Sequence, residues 1–195
     1  MALSVDELRS TVAGMRKAGL STVQISDEMS LSQDTVTWLL SSTPEETNDR
    51  PTDMRIGWRT IGVRPTRIAA IGHILADVAI EECGDSIDTV VGISLNGIVF
   101  AHEIAAELDS EVSIYRCLNQ EDTSGALSNK YGNINGKKVM IVDDVLSTGS
   151  TMTQCIEHLQ EGGAEVILCA VLLNKTTLNE IKDVPLRGLI RAVMV

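Results

Sequence analysis

The first forty residues place apolar side chains at helical spacing. Over residues 5 to 18 the apolar positions recur every three or four residues, which predicts an amphipathic helix. Ser21 and Ser32 are candidate N-caps for two further helices, over residues 22 to 29 and 33 to 40. The pattern therefore predicts three short helices that are joined by tight turns.

From about residue 54 onward, helical periodicity alternates with short, continuously apolar runs. The predicted order is a helix over residues 65 to 82, a strand over 88 to 93, a helix over 98 to 108, strands over 112 to 115 and 138 to 142, a helix over 152 to 161 and a strand over 166 to 173. Strands that alternate with helices imply a parallel sheet with helices on both faces. We therefore expect an α/β fold with a small all-α domain in front of it.

A polar stretch separates these two regions. Residues 43 to 53 contain two prolines and no apolar periodicity, as is typical of a linker. The predicted organisation is an N-terminal domain over residues 1 to 42, this linker, and an α/β domain over residues 54 to 195.

The composition excludes several classes of protein. Of the 195 residues 44% are hydrophobic and only 3% are aromatic, so aliphatic side chains must form the core. No apolar run approaches the roughly 20 residues of a membrane helix, and the N-terminus lacks the pattern of a secretory signal. The four cysteines form no Cys-x-x-Cys pair and have no zinc spacing with the histidines. We expect a cytoplasmic protein with no membrane partner and no directly bound metal. Its formal net charge of −11 opposes non-specific attraction to nucleic acid.

The strongest chemical signal follows the predicted strand at residues 139 to 142. Two adjacent acids, Asp143 and Asp144, come next, and then a loop of small and hydroxyl-bearing residues leads into a helix. Carboxylates can accept hydrogen bonds from the 2- and 3-hydroxyls of a ribose. Backbone N–H groups at a helix N-terminus favour a phosphate. The stretch therefore predicts a site for a ribose 5-phosphate.

This stretch resembles the binding signature of type I phosphoribosyltransferases over the contiguous residues 139 to 151. The resemblance implies a type I phosphoribosyltransferase-like parallel sheet flanked by helices. It also implies that Asp143 and Asp144 hold the ribose and that the following loop holds the 5-phosphate. The implied loop residues are Ser147, Thr148, Gly149, Ser150 and Thr151.

A second loop, after the predicted strand at 88 to 93, fits the same resemblance. It has the glycine spacing of a P-loop but lacks the following Lys-Ser/Thr, so ATP hydrolysis is not expected. In the family this loop meets the pyrophosphate of phosphoribosyl pyrophosphate and contains a non-proline cis peptide, which we expect at Ser94–Leu95. The implied ligand residues are Ser94, Leu95, Asn96 and Gly97. A hood over the base is expected from Trp58, Arg59, Arg64 and residues 185 to 195.

Residues 118 to 136 are too long and polar for a simple connector and resemble the mobile lid that closes over the ligand. Arg116 matches the arginine before this lid in orotate phosphoribosyltransferases, and Lys130 matches one of its lysines. Cys117 stands where a lysine is usual, and a second lid lysine is missing. Because such cations stabilise departing pyrophosphate, their loss counts against turnover more than against binding. The alternative for Lys130 is an ordinary exposed lysine.

The three N-terminal helices resemble a helix-turn-helix DNA-binding unit. In that unit a short turn holds two helices at a steep angle, and the second projects its outer face into a major groove. Residues 1 to 42 carry three basic and five acidic side chains, whereas a DNA-binding module is ordinarily basic. A helical bundle for dimerisation or lid packing is therefore the alternative. The implied DNA-binding residues are Gln33, Asp34, Thr35 and Thr37, with Arg16 and Lys17 for phosphates.

The combination of the two domains resembles the archaeal orotate-phosphoribosyltransferase-like transcriptional regulators of the GfcR type. The resemblance implies a homodimeric regulator that binds promoter DNA and senses a phosphoribosyl or other sugar-phosphate metabolite. The alternative is an active phosphoribosyltransferase that joins orotate or another base to phosphoribosyl pyrophosphate and releases pyrophosphate. In that case Asp143, Asp144 and Lys130 would be catalytic, and magnesium would enter with phosphoribosyl pyrophosphate.

Overall fold

A computed structural model describes residues 4–41, 51–117 and 125–193. They form two compact units, of which the first comprises residues 4–41 and 51–57 and the second residues 58–117 and 125–193. Residues 43 to 50 of the predicted linker and 118 to 124 of the predicted lid lie outside the described residues. None of the helices within these described residues could span a lipid bilayer.

The first unit contains the three predicted helices, α1 (Val5–Lys17), α2 (Thr22–Met29) and α3 (Gln33–Ser41). Capping boxes start α1 and α2, because Ser4 and Ser21 each exchange hydrogen bonds with the residue three positions later. The core of the unit is aliphatic and draws on all three helices. It consists of Val12, Ile25, Met29, Leu31, Val36 and Leu39.

The second unit alternates helices and strands. Its elements are α4 (Arg59–Gly62), α5 (Pro65–Cys83), β1 (Thr89–Ile93), α6 (Gly97–Leu108), β2 (Glu111–Arg116), β3 (Ala126–Leu127), β4 (Lys138–Leu146), α7 (Ser150–Glu161), β5 (Glu165–Asn174), β6 (Glu180–Ile181) and β7 (Val184–Arg191). The predicted strands and helices are confirmed. The sequence pattern missed α4, β3, β6 and β7, and it ended β4 four residues too early.

The strands form one sheet in the order β3-β2-β1-β4-β5-β7-β6. The five strands in its middle are parallel, whereas the two-residue strands β3 and β6 pair antiparallel at the edges. The parallel α/β architecture is therefore confirmed. The prediction that the tail forms a hood is wrong for residues 185 to 191, because they lie in β7 and pair with β5.

Each face of the sheet has its own aliphatic core. On one face, Val139 and Ile141 of β4 pack with α7. On the other face, Met140 and Val142 pack with α5 and α6. This alternation is that of a strand that is buried on both sides. It places the carboxyl end of β4 between two sets of helices.

Candidate functional site

The two predicted ligand loops meet at the carboxyl edge of the sheet. Strands β1 and β4 are neighbours, and Gly92 of β1 lies opposite Val142 of β4. Gly97 begins α6 against the backbone of β4, since a Cβ at Gly97 would lie 2.3 Å from the Val142 carbonyl oxygen and 3.1 Å from Asp143 Cα. Only glycine permits this approach, so Gly97 sets the distance between the glycine loop and the two acids.

Asp144 is nearly enclosed at this edge and is held by two donors. Its side chain is 7% exposed. Its Oδ2 accepts a hydrogen bond of 2.7 Å from the indole nitrogen of Trp58 and one of 3.1 Å from the amide nitrogen of Asn96. Burial raises the pKa of Asp144, and the hydrogen bond from Trp58 opposes that rise. Sequence reasoning assigned Asn96 to the ligand and Trp58 to a hood, and it contained no signal for these contacts.

Asp143 is half-buried, whereas Asp144 is buried. The Oδ1 of Asp143 accepts a hydrogen bond of 2.9 Å from the backbone nitrogen of Asp144. Within β4, Asp143 continues the row of Val139 and Ile141, whereas Asp144 continues the row on the other face. The two acids therefore stand together at the carboxyl edge of the sheet, close enough for their side chains to interact, with Asp143 toward Cys155 of α7.

The predicted phosphate loop forms a turn that leads directly into α7. Gly149 has φ of 87° and ends the loop in the left-handed region that favours glycine. The hydroxyls of Thr148 and Ser150 lie 3.0 Å apart, and both residues are exposed. The Gly149 carbonyl accepts from the backbone nitrogen of Thr153 at 2.8 Å, as the first hydrogen bond of the helix. Exposed hydroxyls thus surround the N-terminus of a 12-residue helix, which is where an anion is favoured.

The glycine loop has the backbone geometry that the resemblance implied. The Ser94–Leu95 peptide bond is cis, which confirms the expectation. The Ser94 backbone nitrogen donates to the Tyr115 carbonyl oxygen at 2.8 Å and so ties the loop to β2. The side chain of Leu95 is 69% exposed, whereas that of Asn96 contacts Asp144.

The described end of the predicted lid runs back along β2. Arg116, which is exposed, pairs with Ala126, and the Gly132 backbone nitrogen donates to the Val112 carbonyl oxygen. Lys130 is exposed and lies between these two points, so it sits nearer the middle of β2 than the carboxyl edge. The predicted role of Lys130 toward a ligand stays a prediction.

Among residues 4–41, 51–117 and 125–193, no group of three or more His, Cys, Asp or Glu side chains could hold a metal ion. Magnesium, if it enters with a diphosphate ligand, would depend on the ligand's own oxygens.

The predicted DNA-contacting residues of α3 divide into two groups. Asp34 and Thr37 are exposed and Gln33 is half-buried. Thr35 is only 7% exposed, and its hydroxyl lies 2.9 Å from that of Ser32. Thr35 therefore supports the start of α3 and does not lie on its outer face.

The two basic residues predicted to meet phosphates lie at the end of α1. Arg16 and Lys17 are both exposed in its last turn. Arg16 donates to the carbonyl oxygen of Leu20 at 3.3 Å, which closes the turn between α1 and α2. Sequence reasoning missed a third cation, Arg9, whose guanidinium carbon lies 5.0 Å from the ring centroid of Trp38.

Comparison with known proteins gives consistent matches for both regions. The model of the phosphoribosyl transferase domain matches residues 57–189. The transcriptional regulator GfcR of Thermoplasma acidophilum is 35% identical over 195 residues, which cover 98% of each chain. The transcriptional regulator GfcR of Picrophilus torridus is 38% identical over 196 residues, which cover 98% of this chain and 99% of that one.

Solved phosphoribosyltransferases have a similar fold. Adenine phosphoribosyl transferase from Trypanosoma brucei, in complex with AMP, pyrophosphate and ribose-5-phosphate, gives a TM-score of 0.58 at 18% identity and covers 76% of this chain and 74% of that one. Orotate phosphoribosyltransferase from Mycobacterium tuberculosis, in complex with 5-phospho-alpha-D-ribosyl 1-diphosphate, gives 0.54 at 18% identity, with 70% and 80% coverage. At such identity the likeness concerns the fold alone.

Proposed function

The chain belongs to the GfcR family of transcriptional regulators and carries a phosphoribosyl transferase domain, and we propose that its second unit senses a phosphoribosyl or other sugar phosphate. In this proposal, the bound ligand sets how tightly the first unit binds promoter DNA. The observation that carries the ligand half is the shared sheet edge. There, the half-buried carboxylate of Asp143 lies one short loop before the hydroxyl-lined start of α7. Such an edge favours a ligand with a diol and a phosphate.

The first unit supports the DNA half through its helix order. A tight turn at Ser30, which has φ of 50°, joins α2 to α3, and α3 presents Asp34 and Thr37 outward. This is the arrangement of a helix-turn-helix unit, whose second helix meets base edges. Acidic side chains outnumber basic ones in residues 4–41. Contacts to bases must therefore contribute a larger share of the DNA-binding free energy than in an ordinary basic module, and attraction to phosphates a smaller share.

The proposal includes a homodimer that acts in the cytoplasm. A closed two-fold dimer presents two copies of α3 and so suits a palindromic operator. Ligand binding can change operator affinity only if the ligand favours one dimer geometry over another. The cytoplasm is the compartment in which such a protein meets both metabolites and the promoter.

A binding experiment on the full chain tests both halves. Genomic fragments of the source organism that the protein retains are identified, and the affinity for the best fragment is compared with that for a shuffled sequence over a range of salt concentrations. The titration is repeated with ribose 5-phosphate and with phosphoribosyl pyrophosphate plus magnesium. We expect sequence-specific binding that the ligand changes by about 5- to 150-fold.

Two matched variants separate the halves. Asp143→Asn should abolish the response to ligand while it preserves DNA binding, whereas Gln33→Ala should weaken DNA binding while it preserves ligand affinity. Equal affinity for selected and shuffled DNA at every salt concentration would refute the regulator. Release of pyrophosphate from phosphoribosyl pyrophosphate with orotate or another base would instead support the enzyme alternative.

A further inference from the structure

One oxygen of the Asp144 carboxylate, Oδ2, is already occupied by two protein donors in the described structure. This oxygen accepts from both Trp58 and Asn96, and the side chain is 7% exposed. A carboxylate oxygen offers about two lone-pair positions, so these donors fill that oxygen. A sugar hydroxyl can therefore reach Oδ2 only if one of the two donors leaves.

The two donors differ in how firmly they are held. Asn96 precedes Gly97, which lies against the backbone of β4 at the start of the 12-residue helix α6. Trp58 is half-buried and is the N-cap residue of the four-residue helix α4. Its side chain makes no hydrogen bond to the backbone of that helix. Its ring packs against Phe100 at a centroid distance of 5.6 Å. Trp58 is therefore the donor that can move with the smaller loss of backbone structure.

Trp58 also occupies a particular place in the chain. It directly follows Gly57, the last residue of the first unit. Within that unit, the Ser32 backbone nitrogen, immediately before α3, donates to Oδ2 of Asp53 at 2.7 Å. Only four residues of chain lie between Asp53 and Trp58, so a displacement of Trp58 acts on a short segment that is anchored beside α3.

We propose, on the basis of the function proposed above, that Trp58 is an internal competitor for the ligand's sugar hydroxyls at Asp144. Ribose hydroxyls replace the indole N–H as donors to the carboxylate, and the released Trp58 shifts residues 51 to 57. The buried carboxylate requires donors in both states, because an unsatisfied buried acceptor is costly. The exchange thus substitutes one hydrogen bond for another and leaves the carboxylate paired throughout.

A fluorescence experiment on the full chain reports the exchange directly. The chain contains two tryptophans, so Trp38→Phe leaves Trp58 as the single emitter. Ribose 5-phosphate should shift the emission of Trp58 to longer wavelength and increase its quenching by acrylamide. Inorganic phosphate has no diol and should leave both signals unchanged. If ribose 5-phosphate binds and the quenching of Trp58 stays constant or falls, the competition does not occur.

A second variant tests the energetics. Trp58→Phe keeps an aromatic ring against Phe100 but removes the N–H donor. We expect its affinity for ribose 5-phosphate to rise by about 10-fold or more, since a hydrogen bond to a charged group no longer opposes the ligand. We also expect the ligand to alter the DNA affinity of this variant less than that of the wild type.

The controls distinguish this inference from the function on which it rests. Trp38→Phe alone should leave the affinity for ribose 5-phosphate unchanged, and circular dichroism should show that both variants are folded. Unchanged or weaker binding by folded Trp58→Phe overturns the competition and leaves the sensor function intact. Absence of ribose 5-phosphate binding by the wild type, with phosphoribosyl pyrophosphate also inactive, overturns both.

Discussion

Replacement of Gly97 by alanine tests the architecture of the ligand edge. Gly97 is buried where α6 begins, and its backbone faces the Val142 carbonyl oxygen of β4. A Cβ at this position would lie 2.3 Å from that oxygen and 3.1 Å from Asp143 Cα. Both neighbours are backbone atoms of a central strand, so no side chain can rotate away to make room.

The size of the effect follows from this geometry. Overpacking a well-packed interior costs about 1–3 kcal/mol, and the upper part of that range applies because two backbone segments must separate. A loss of about 3 kcal/mol is a large part of the roughly 5–15 kcal/mol that stabilises an ordinary domain. For a domain of this size it lowers Tm by roughly 10 °C. The same displacement moves Asp143, so the affinity for ribose 5-phosphate falls as well.

Scanning calorimetry and a ribose 5-phosphate titration of Gly97→Ala measure both effects. Gly14→Ala is the matched control, because Gly14 lies in α1 and a Cβ there would meet no atom within 4 Å. The control should stabilise the first unit by about 0.5–1 kcal/mol through helix propensity. Should Gly97→Ala melt within about 2 °C of the wild type and bind ribose 5-phosphate normally, the close approach of α6 to β4 would be disproved.

Two further predictions concern buried titratable groups. Ellman's reagent at pH 8 should modify the half-buried Cys83 and Cys117 first, and the buried Cys155 and Cys169 only after unfolding. Burial raises the pKa of Cys155 and that of Cys169, the latter to about 12, so their thiols do not ionise at this pH. Four thiols that react at one rate would contradict the structure. Burial also raises the pKa of Asp144 above its ordinary 3.8. The folded state therefore binds the proton more tightly than the unfolded state, and this contribution to the free energy of unfolding is lost as the pH rises through the folded-state pKa. The stability of Asp144→Asn relative to the wild type should therefore increase in urea unfolding as the pH rises above about 4, and a difference that does not change with pH would refute this.

Local sequence determined the longer helices, the central strands β1, β4 and β5, and the order of the chemical groups. The capping boxes of α1 and α2 involve residues three positions apart. Around Asp143, the strand, the acids, the loop and the helix follow one another directly along the chain. Short, continuously apolar runs likewise predicted the central strands β1, β4 and β5. Such signals are readable because the interacting groups are neighbours in the chain, whatever the rest of the molecule does.

Tertiary structure alone decided which groups meet. Strand β7 contains Arg187 and Gly188 among its apolar residues, and it is a strand because β5 offers it hydrogen bonds. The segment of Lys130 runs beside β2 because Gly132 donates to Val112 of that strand. The hydrogen bond between Trp58 and Asp144 joins residues 86 positions apart. Such groups meet only when the whole sheet forms. No local pattern of side chains therefore predicts contacts between residues this far apart in the sequence.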